Sequence, residues 1–230
     1  MMKKIFIALF CLFNICEARI VFVHIPKCGG TTLQRLLKEN FDKREVYPFA
    51  KIGKGRAHAT TVQEMQEAFD EFPPIEHELA WGHFPMWFFQ EKDPDFNSSF
   101  YLTVLRDPVE RVLSHDRYRM RNDKLSSDPL SIPDNFLCYM LCTDCTLTGD
   151  ALLENAKMSL ERMDAILFME TFERDIRILF KRLNFKLPSK IPRTNTTRPY
   201  PVSDEMIEKI RERNILDVKL YEYAKKRYAS

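Results

Sequence analysis

The chain lacks an excess of charge of either sign. In 230 residues, 35 Lys and Arg stand against 33 Asp and Glu, a formal net charge of +2. Bulk electrostatic attraction to nucleic acid is therefore not indicated, and any recognition of an anion must be local. Internal repeats and low-complexity stretches are also absent. The longest apolar run, Ile5 to Ile15 broken only by Asn14, falls short of the roughly 20 residues that span a bilayer. Preceded by Lys3 and Lys4 and followed by the small residue Ala18, that run has the layout of a signal peptide over residues 1–18, with one domain over 19–230. The competing reading is a buried first element of the domain, which a strand beginning at Arg19 or Ile20 disfavours.

No four-ligand metal spacing is present. Cys11 and Cys16 fall within residues 1–18, Cys28 sits in a glycine turn, and Cys138, Cys142 and Cys145 cluster in CYMLCTDC. Three thiols do not complete a zinc site, so packing is the expectation for them, with a disulfide as the alternative. No metal is expected. The sequons at Asn97 and Asn195 matter only where the host glycosylates.

The 45% hydrophobic composition suits a folded domain. Ile20 to Ile25 and Phe100 to Leu105 are continuous apolar runs of the kind buried on both faces of a parallel sheet, and Ala165 to Met169 is a third. Helical spacing follows each: Leu33, Leu36, Leu37; then RDPVERVLSHDRYRM, where Asp107, Pro108 and Glu110 predict a capping box; then Phe172 to Leu183. Leu152 to Met163 and Ser203 to Tyr228 also read as helices. Strands alternating with helices predict an α/β, three-layer fold with a mostly parallel central sheet flanked by helices. Ligands of such folds bind at loops beyond the strand ends.

One such loop carries the chemistry. In FVHIPKCGGTTLQRLL, Gly29 and Gly30 allow close approach to the backbone at a helix N-terminus, Thr31 and Thr32 supply hydroxyls, and Lys27 supplies charge. The turn suits a phosphate-like anion. It is P-loop-like without the Walker A order, because the lysine precedes the glycines, and no convincing Walker B carboxylate follows. The second strand–helix unit adds Arg106, able to clamp a phosphate bidentately, and Ser114 two turns into the helix.

HIPKCGGTTLQRLL resembles the 5′-phosphosulfate loop of glycan sulfotransferases of the heparan sulfate 2-O- and 6-O-type, and TVLRDPVERVLSHDRY resembles their 3′-phosphate segment. NTTRP and the C-terminal IEKIRERNILDVKLYEYAKKRY are similar to the end of those domains. The resemblance implies 3′-phosphoadenosine 5′-phosphosulfate (PAPS) as donor. Lys27, Cys28, Gly29, Gly30, Thr31 and Thr32 would hold the 5′-phosphosulfate, Arg106 and Ser114 the 3′-phosphate, and Thr196, Thr197 and Arg198 would close over the nucleotide. Cys28 stands where that family leads one to expect threonine, so less polar contact is expected there.

Sulfuryl transfer to a hydroxyl needs a base and a positive charge on the departing oxygen. Of His24, His58, His77, His83 and His115, the resemblance selects His83, in AWGHFPMWFF, as the base, with Lys27 on the leaving oxygen. His24 reads as structural and His115 as a solvated helix position. Lys54, Arg56 and His58, with Arg117 and Tyr118, form two basic clusters suited to an acidic carbohydrate acceptor. The alternatives are a non-catalytic nucleotide- or glycan-binding protein and a P-loop kinase. The expected compartment is the secretory pathway, Golgi lumen or membrane in a eukaryote, and the periplasm or exterior in a bacterium.

Overall fold

The computed structural model describes residues 18–46, 77–92, 96–122, 127–192 and 200–229. Four strands form one sheet: β1 (Ile20–Val23), β2 (Leu79–Gly82), β3 (Phe100–Leu105) and β4 (Ala165–Phe168). Their order is β2-β1-β3-β4 and every neighbouring pair is parallel. The helices are α1 (Gly30–Lys38), α2 (Met86–Lys92), α3 (Pro108–Asn122), α4 (Phe136–Leu141), α5 (Gly149–Arg162), α6 (Phe172–Arg182), α7 (Asp204–Arg213) and α8 (Ile215–Tyr228). The expected parallel sheet flanked by helices is what forms. None of the described helices is long and apolar enough to cross a membrane.

β1, β2 and β3 are buried along their whole length. This is why their sequences carry no polar alternation. Thr103 is the polar exception, and its hydroxyl donates to the Val23 carbonyl at 2.9 Å. Leu33, Leu36 and Leu37 turn the apolar face of α1 into the same core.

β1 is flanked by β2 on one side and β3 on the other. The chain therefore leaves β1 and β3 in opposite directions, and the crevice at such a switch point is where open α/β sheets bind ligands. Val23 pairs with both Gly82 and Thr103, so the strands reach their C-terminal edge together.

Two local expectations are corrected. The stretch from Ser203 to Tyr228 is two helices, α7 and α8, because Asn214 leaves the helical conformation at φ −105°, ψ 31°. Its buried amide donates to the Ile210 carbonyl at 2.8 Å and accepts from Asn135 N at 3.0 Å. Asn135 Oδ1 in turn accepts from Leu216 N at 3.0 Å. This reciprocal pairing with the α4 entrance outweighs helix continuity. The capping box at α3 is half formed: Asp107 Oδ1 accepts from Glu110 N at 3.0 Å, but Asp107 N donates to Glu170 at 3.3 Å. The Glu110 carboxylate is drawn instead to Arg106, just before the helix, and Arg117, two turns along it.

Asp217 of α8 takes over the capping of α4, whose own N-cap Asn135 makes no side-chain cap bond. The Asp217 carboxylate accepts from Leu137 N and Cys138 N, both at 2.8 Å. Burial pushes its pKa up, opposed by the fully buried guanidinium of Arg111 and by those two N–H groups. Arg111 is held from the far side by the Pro133 carbonyl, at 3.4 Å. The buried charges of Arg111 on α3 and Asp217 on α8 thus influence each other electrostatically, while the Asp217 carboxylate ties α8 to α4.

α3 is also anchored through Asp116, whose carboxylate accepts from Tyr200 Oη at 2.5 Å, Ser127 Oγ at 2.7 Å and Asp128 N at 2.9 Å. Burial pushes this carboxyl up, but the three hydrogen bonds and Arg119 outweigh it and hold it below the ordinary carboxylate range.

Asp217→Ala removes the acceptor of two buried N–H groups and the negative charge that offsets buried Arg111, so it should cost about 3–5 kcal/mol in urea unfolding at pH 7. Tyr200→Phe should cost about 1–2 kcal/mol, as expected for a hydrogen bond to a charged group. Because the Asp116 pKa is depressed on folding, its contribution is complete above about pH 4 and is lost as pH falls through the folded value. The deficit of Tyr200→Phe relative to the wild type should therefore shrink in unfolding curves taken below about pH 4.

Candidate active site

Three loops meet beyond the C-terminal edge of the sheet: residues 24–29 after β1, His83 after β2, and Arg106 after β3. The first is a strained turn. Lys27 has φ 71° and Gly29 has φ 82°, both left-handed, and the chain then enters α1 at Gly30. A non-glycine residue held in that region costs on the order of 1 kcal/mol and persists only where its surroundings fix it. Here the Lys27 carbonyl accepts from Arg106 Nη1 at 3.2 Å, and the Lys27 ammonium lies 3.1 Å from the centre of the Tyr118 ring. Lys27, Arg106 and Tyr118, which the sequence scatters over 92 positions, are one cluster.

The glycine pair is required by contact. A Cβ on Gly29 would lie 2.5 Å from Met169 Sδ, in a backbone conformation already unfavourable to side chains. A Cβ on Gly30 would lie 2.2 Å from His24 Cδ2 and 2.9 Å from Phe22 Cζ. The turn therefore packs its back against the sheet edge, and the first-turn N–H groups of α1, which a helix leaves without internal partners, form its front. Thr31 is half-buried in that first turn. Thr32 is buried, and its hydroxyl donates to the Pro192 carbonyl at 3.5 Å. Cys28 points into the core, where its thiol donates weakly to the Pro26 carbonyl at 3.9 Å. Burial pushes that thiol up to about 12, against the pull of Arg111 and Arg106. It stays protonated at neutral pH and is no nucleophile.

His83 is half-buried, and its Nδ1 lies 2.7 Å from the His24 carbonyl oxygen. A carbonyl oxygen only accepts, so Nδ1 carries the proton and donates it. Nε2 is left with the lone pair of a general base. The His24 ring packs 4.3 Å from the His83 ring and stacks on Phe22 at 5.1 Å. His24 is structural, and it serves two parts of the site at once: its carbonyl orients His83 and its ring backs Gly30.

On α3, Glu110, Ser114, Arg117 and Tyr118 recur at helical spacing on one face. Arg106 Nη2 lies 3.1 Å from Glu110 Oε2, and Arg117 Nη2 lies 3.6 Å from the same oxygen. Ser114 is half-buried between them in sequence. The structure thus brings Lys27, Gly29, Gly30, Thr31, His83, Arg106, Ser114, Arg117 and Tyr118 to one edge. Arg117 and Tyr118, expected from sequence on an acceptor surface, face the Lys27–Arg106 cluster. His115 is half-buried, less solvated than expected. Lys54, Arg56 and His58, and likewise Thr196, Thr197 and Arg198, lie outside the described residues, as do residues 1–17. Sequence reasoning missed Glu110 as the shared anion, because its spacing from Asp107 matched a cap, and missed Glu170 and Met169, which reach the turn from β4.

Among the described residues no group of three or more His, Cys, Asp and Glu side chains is placed to hold a metal ion. Cys28, Cys138 and Cys142 are buried thiols, and Cys145 is exposed.

Comparison with known proteins covers both loops. Residues 13–126, which contain both, match the sulfotransferase family. The chain is 27% identical to chicken (Gallus gallus) heparan-sulfate 6-O-sulfotransferase 1, over 91% of this chain and 65% of the relative. It is 27% identical to human heparan-sulfate 6-O-sulfotransferase 3, over 90% of this chain and 56% of the relative. The chain thus spans less than two thirds of the length of these relatives. Among solved structures, mouse sulfotransferase SULT7A1 complexed with PAP aligns over 85% of this chain and 63% of that chain, at 16% identity and a TM-score of 0.42. A glycine turn with its lysine ahead of it, a histidine held at the neighbouring strand end and an arginine–serine helix are here joined in one chain that matches the sulfotransferase family over residues 13–126 and resembles the heparan-sulfate 6-O-sulfotransferases.

Proposed function

We propose that the chain is a PAPS-dependent O-sulfotransferase that moves the sulfuryl group to a hydroxyl of an acidic, glycosaminoglycan-like carbohydrate. The observation that carries this reading is that His83, its Nδ1 against the His24 carbonyl, and Lys27, held over Tyr118, stand at one sheet edge.

The residues fit such a donor. The first turn of α1 and the two glycines, neither of which can carry a side chain, suit the 5′-phosphosulfate. Arg106 and Ser114 suit the 3′-phosphate, and Thr196, Thr197 and Arg198 are assigned to the nucleotide by the family resemblance alone. Cys28 contributes only backbone, since its side chain faces the core. His83 Nε2 accepts the proton of the acceptor hydroxyl as its oxygen forms a bond to sulfur in line with the bond that breaks. Charge then develops on the phosphate oxygen that departs. The Lys27 ammonium, close by on a turn whose geometry is fixed, stabilises that oxygen without a reorganisation cost at the moment of reaction.

An acidic acceptor is supported by the names of the curated relatives, which act on heparan sulfate, and by the basic residues Lys54, Arg56 and His58 of the preceding segment. The basic and apolar opening over residues 1–18 supports a secretory-lumen site of action, Golgi in a eukaryote.

His83→Ala separates catalysis from binding. General acid–base catalysis contributes roughly 100- to 10,000-fold, so transfer should fall by about that factor. Binding of 3′-phosphoadenosine 5′-phosphate (PAP), measured by calorimetry, should stay at the wild-type value. Transfer that survives the substitution would show that another group takes the proton.

A further inference from the structure

The sequence distributes the cations of the site between two jobs, donor and acceptor, and assigns Arg117 to the second. The structure argues otherwise. Arg117 on α3 and Arg106 in the loop just before it approach one oxygen atom, Oε2 of Glu110, with Ser114 one turn from each of Glu110 and Arg117. Two guanidiniums that converge on one oxygen are already arranged for an anion with several oxygens.

The Arg117 guanidinium is also too buried for a surface ion pair. Its side chain is only 11% exposed, against 53% for Glu110, and its Nε is buried with no hydrogen-bond partner among the described residues. A buried, unsatisfied donor on a permanent cation is costly, and a pair at 3.6 Å with a half-exposed carboxylate returns little of that cost. The arrangement is explained if a further acceptor belongs there. Glu110 supplies one carboxylate edge where two guanidinium forks and a serine hydroxyl offer more donors than it can use.

We infer that Arg117 is a second guanidinium of the donor's 3′-phosphate site, and that Glu110 is the internal anion holding Arg106 and Arg117 together when that phosphate is away. This rests on the proposed use of a 3′-phosphorylated nucleotide and deepens it. The 3′-phosphate then meets Arg106 from the loop after β3 and Arg117 and Ser114 from one face of α3. Its selection over a nucleotide lacking that phosphate falls to α3.

The test compares PAP with adenosine 5′-phosphate, which lacks the 3′-phosphate, by calorimetric titration of the full chain. The wild type should prefer PAP. Arg117→Ala should weaken PAP by roughly tenfold to a hundredfold and leave adenosine 5′-phosphate unchanged, because hydrogen bonds between charged groups are the strong ones. Arg117→Lys keeps the stem and the charge but loses the planar fork. It should melt close to the wild type while losing part of the PAP preference. An unchanged ratio of the two affinities in Arg117→Lys and Arg117→Ala, or an equal loss on both nucleotides, would overturn the inference. A wild type indifferent to the 3′-phosphate would overturn the donor assignment itself.

Discussion

The backbone of His24 joins the ends of two strands, and the site hangs from that join. Its N–H donates to the Gly82 carbonyl at 3.1 Å, continuing the β1–β2 ladder by one residue, and its carbonyl accepts from His83 Nδ1 at 2.7 Å. Because Val23 and Gly82 are in register, His24 and His83 emerge side by side. A slip of one residue would put His83 on the other face of the sheet. The same residue's ring fills the space behind Gly30, so the glycine turn and His83 share one support. An imidazole whose tautomer is set by a main-chain carbonyl needs no carboxylate to orient it.

Around that join the charges are held in advance. Lys27 is placed by a left-handed backbone and by Tyr118, Arg106 by the Lys27 carbonyl and Glu110, and Arg117 by Glu110. These contacts tie loops from β1 and β3 to one helix. That helix is in turn fixed by Asp116–Tyr200 and by the bond from Arg111 to the Pro133 carbonyl. Fixing cations before the ligand arrives reduces the ordering that binding must do, which is the physical content of preorganisation. Net charge near zero is consistent with this design: each cation of the site has a local partner.

Much of this was legible from residue order. Apolar runs gave β1, β3 and β4, and the placement of lysine, two glycines and two threonines after β1 gave the anion turn. Four-residue β2 was not read as a strand, since Leu79–Gly82 is too short to show a period and ends in glycine. The roles of His24 and Glu110 were hidden for a different reason. Both depend on contacts made across the sheet edge or around a helix, where spacing permits several partners and only geometry selects one. Glu110 matched a capping box by position, yet Arg106 and Arg117 compete for the carboxylate, and Glu170, just after β4, takes the N–H it would have capped. Asn214 broke a helix that periodicity alone would continue, because its amide is committed to Asn135.

The central claim is that this sheet edge transfers a sulfuryl group to a sugar hydroxyl. It is tested most directly by incubating the wild-type chain with sulfur-labelled PAPS and a panel of desulfated and sulfated glycosaminoglycans, followed by disaccharide analysis. The account predicts label in an O-linked sulfate on an acidic glycan, with stoichiometric release of PAP. PAP binding without label in any glycan would contradict it, and would make the chain a nucleotide-binding protein built on a sulfotransferase frame.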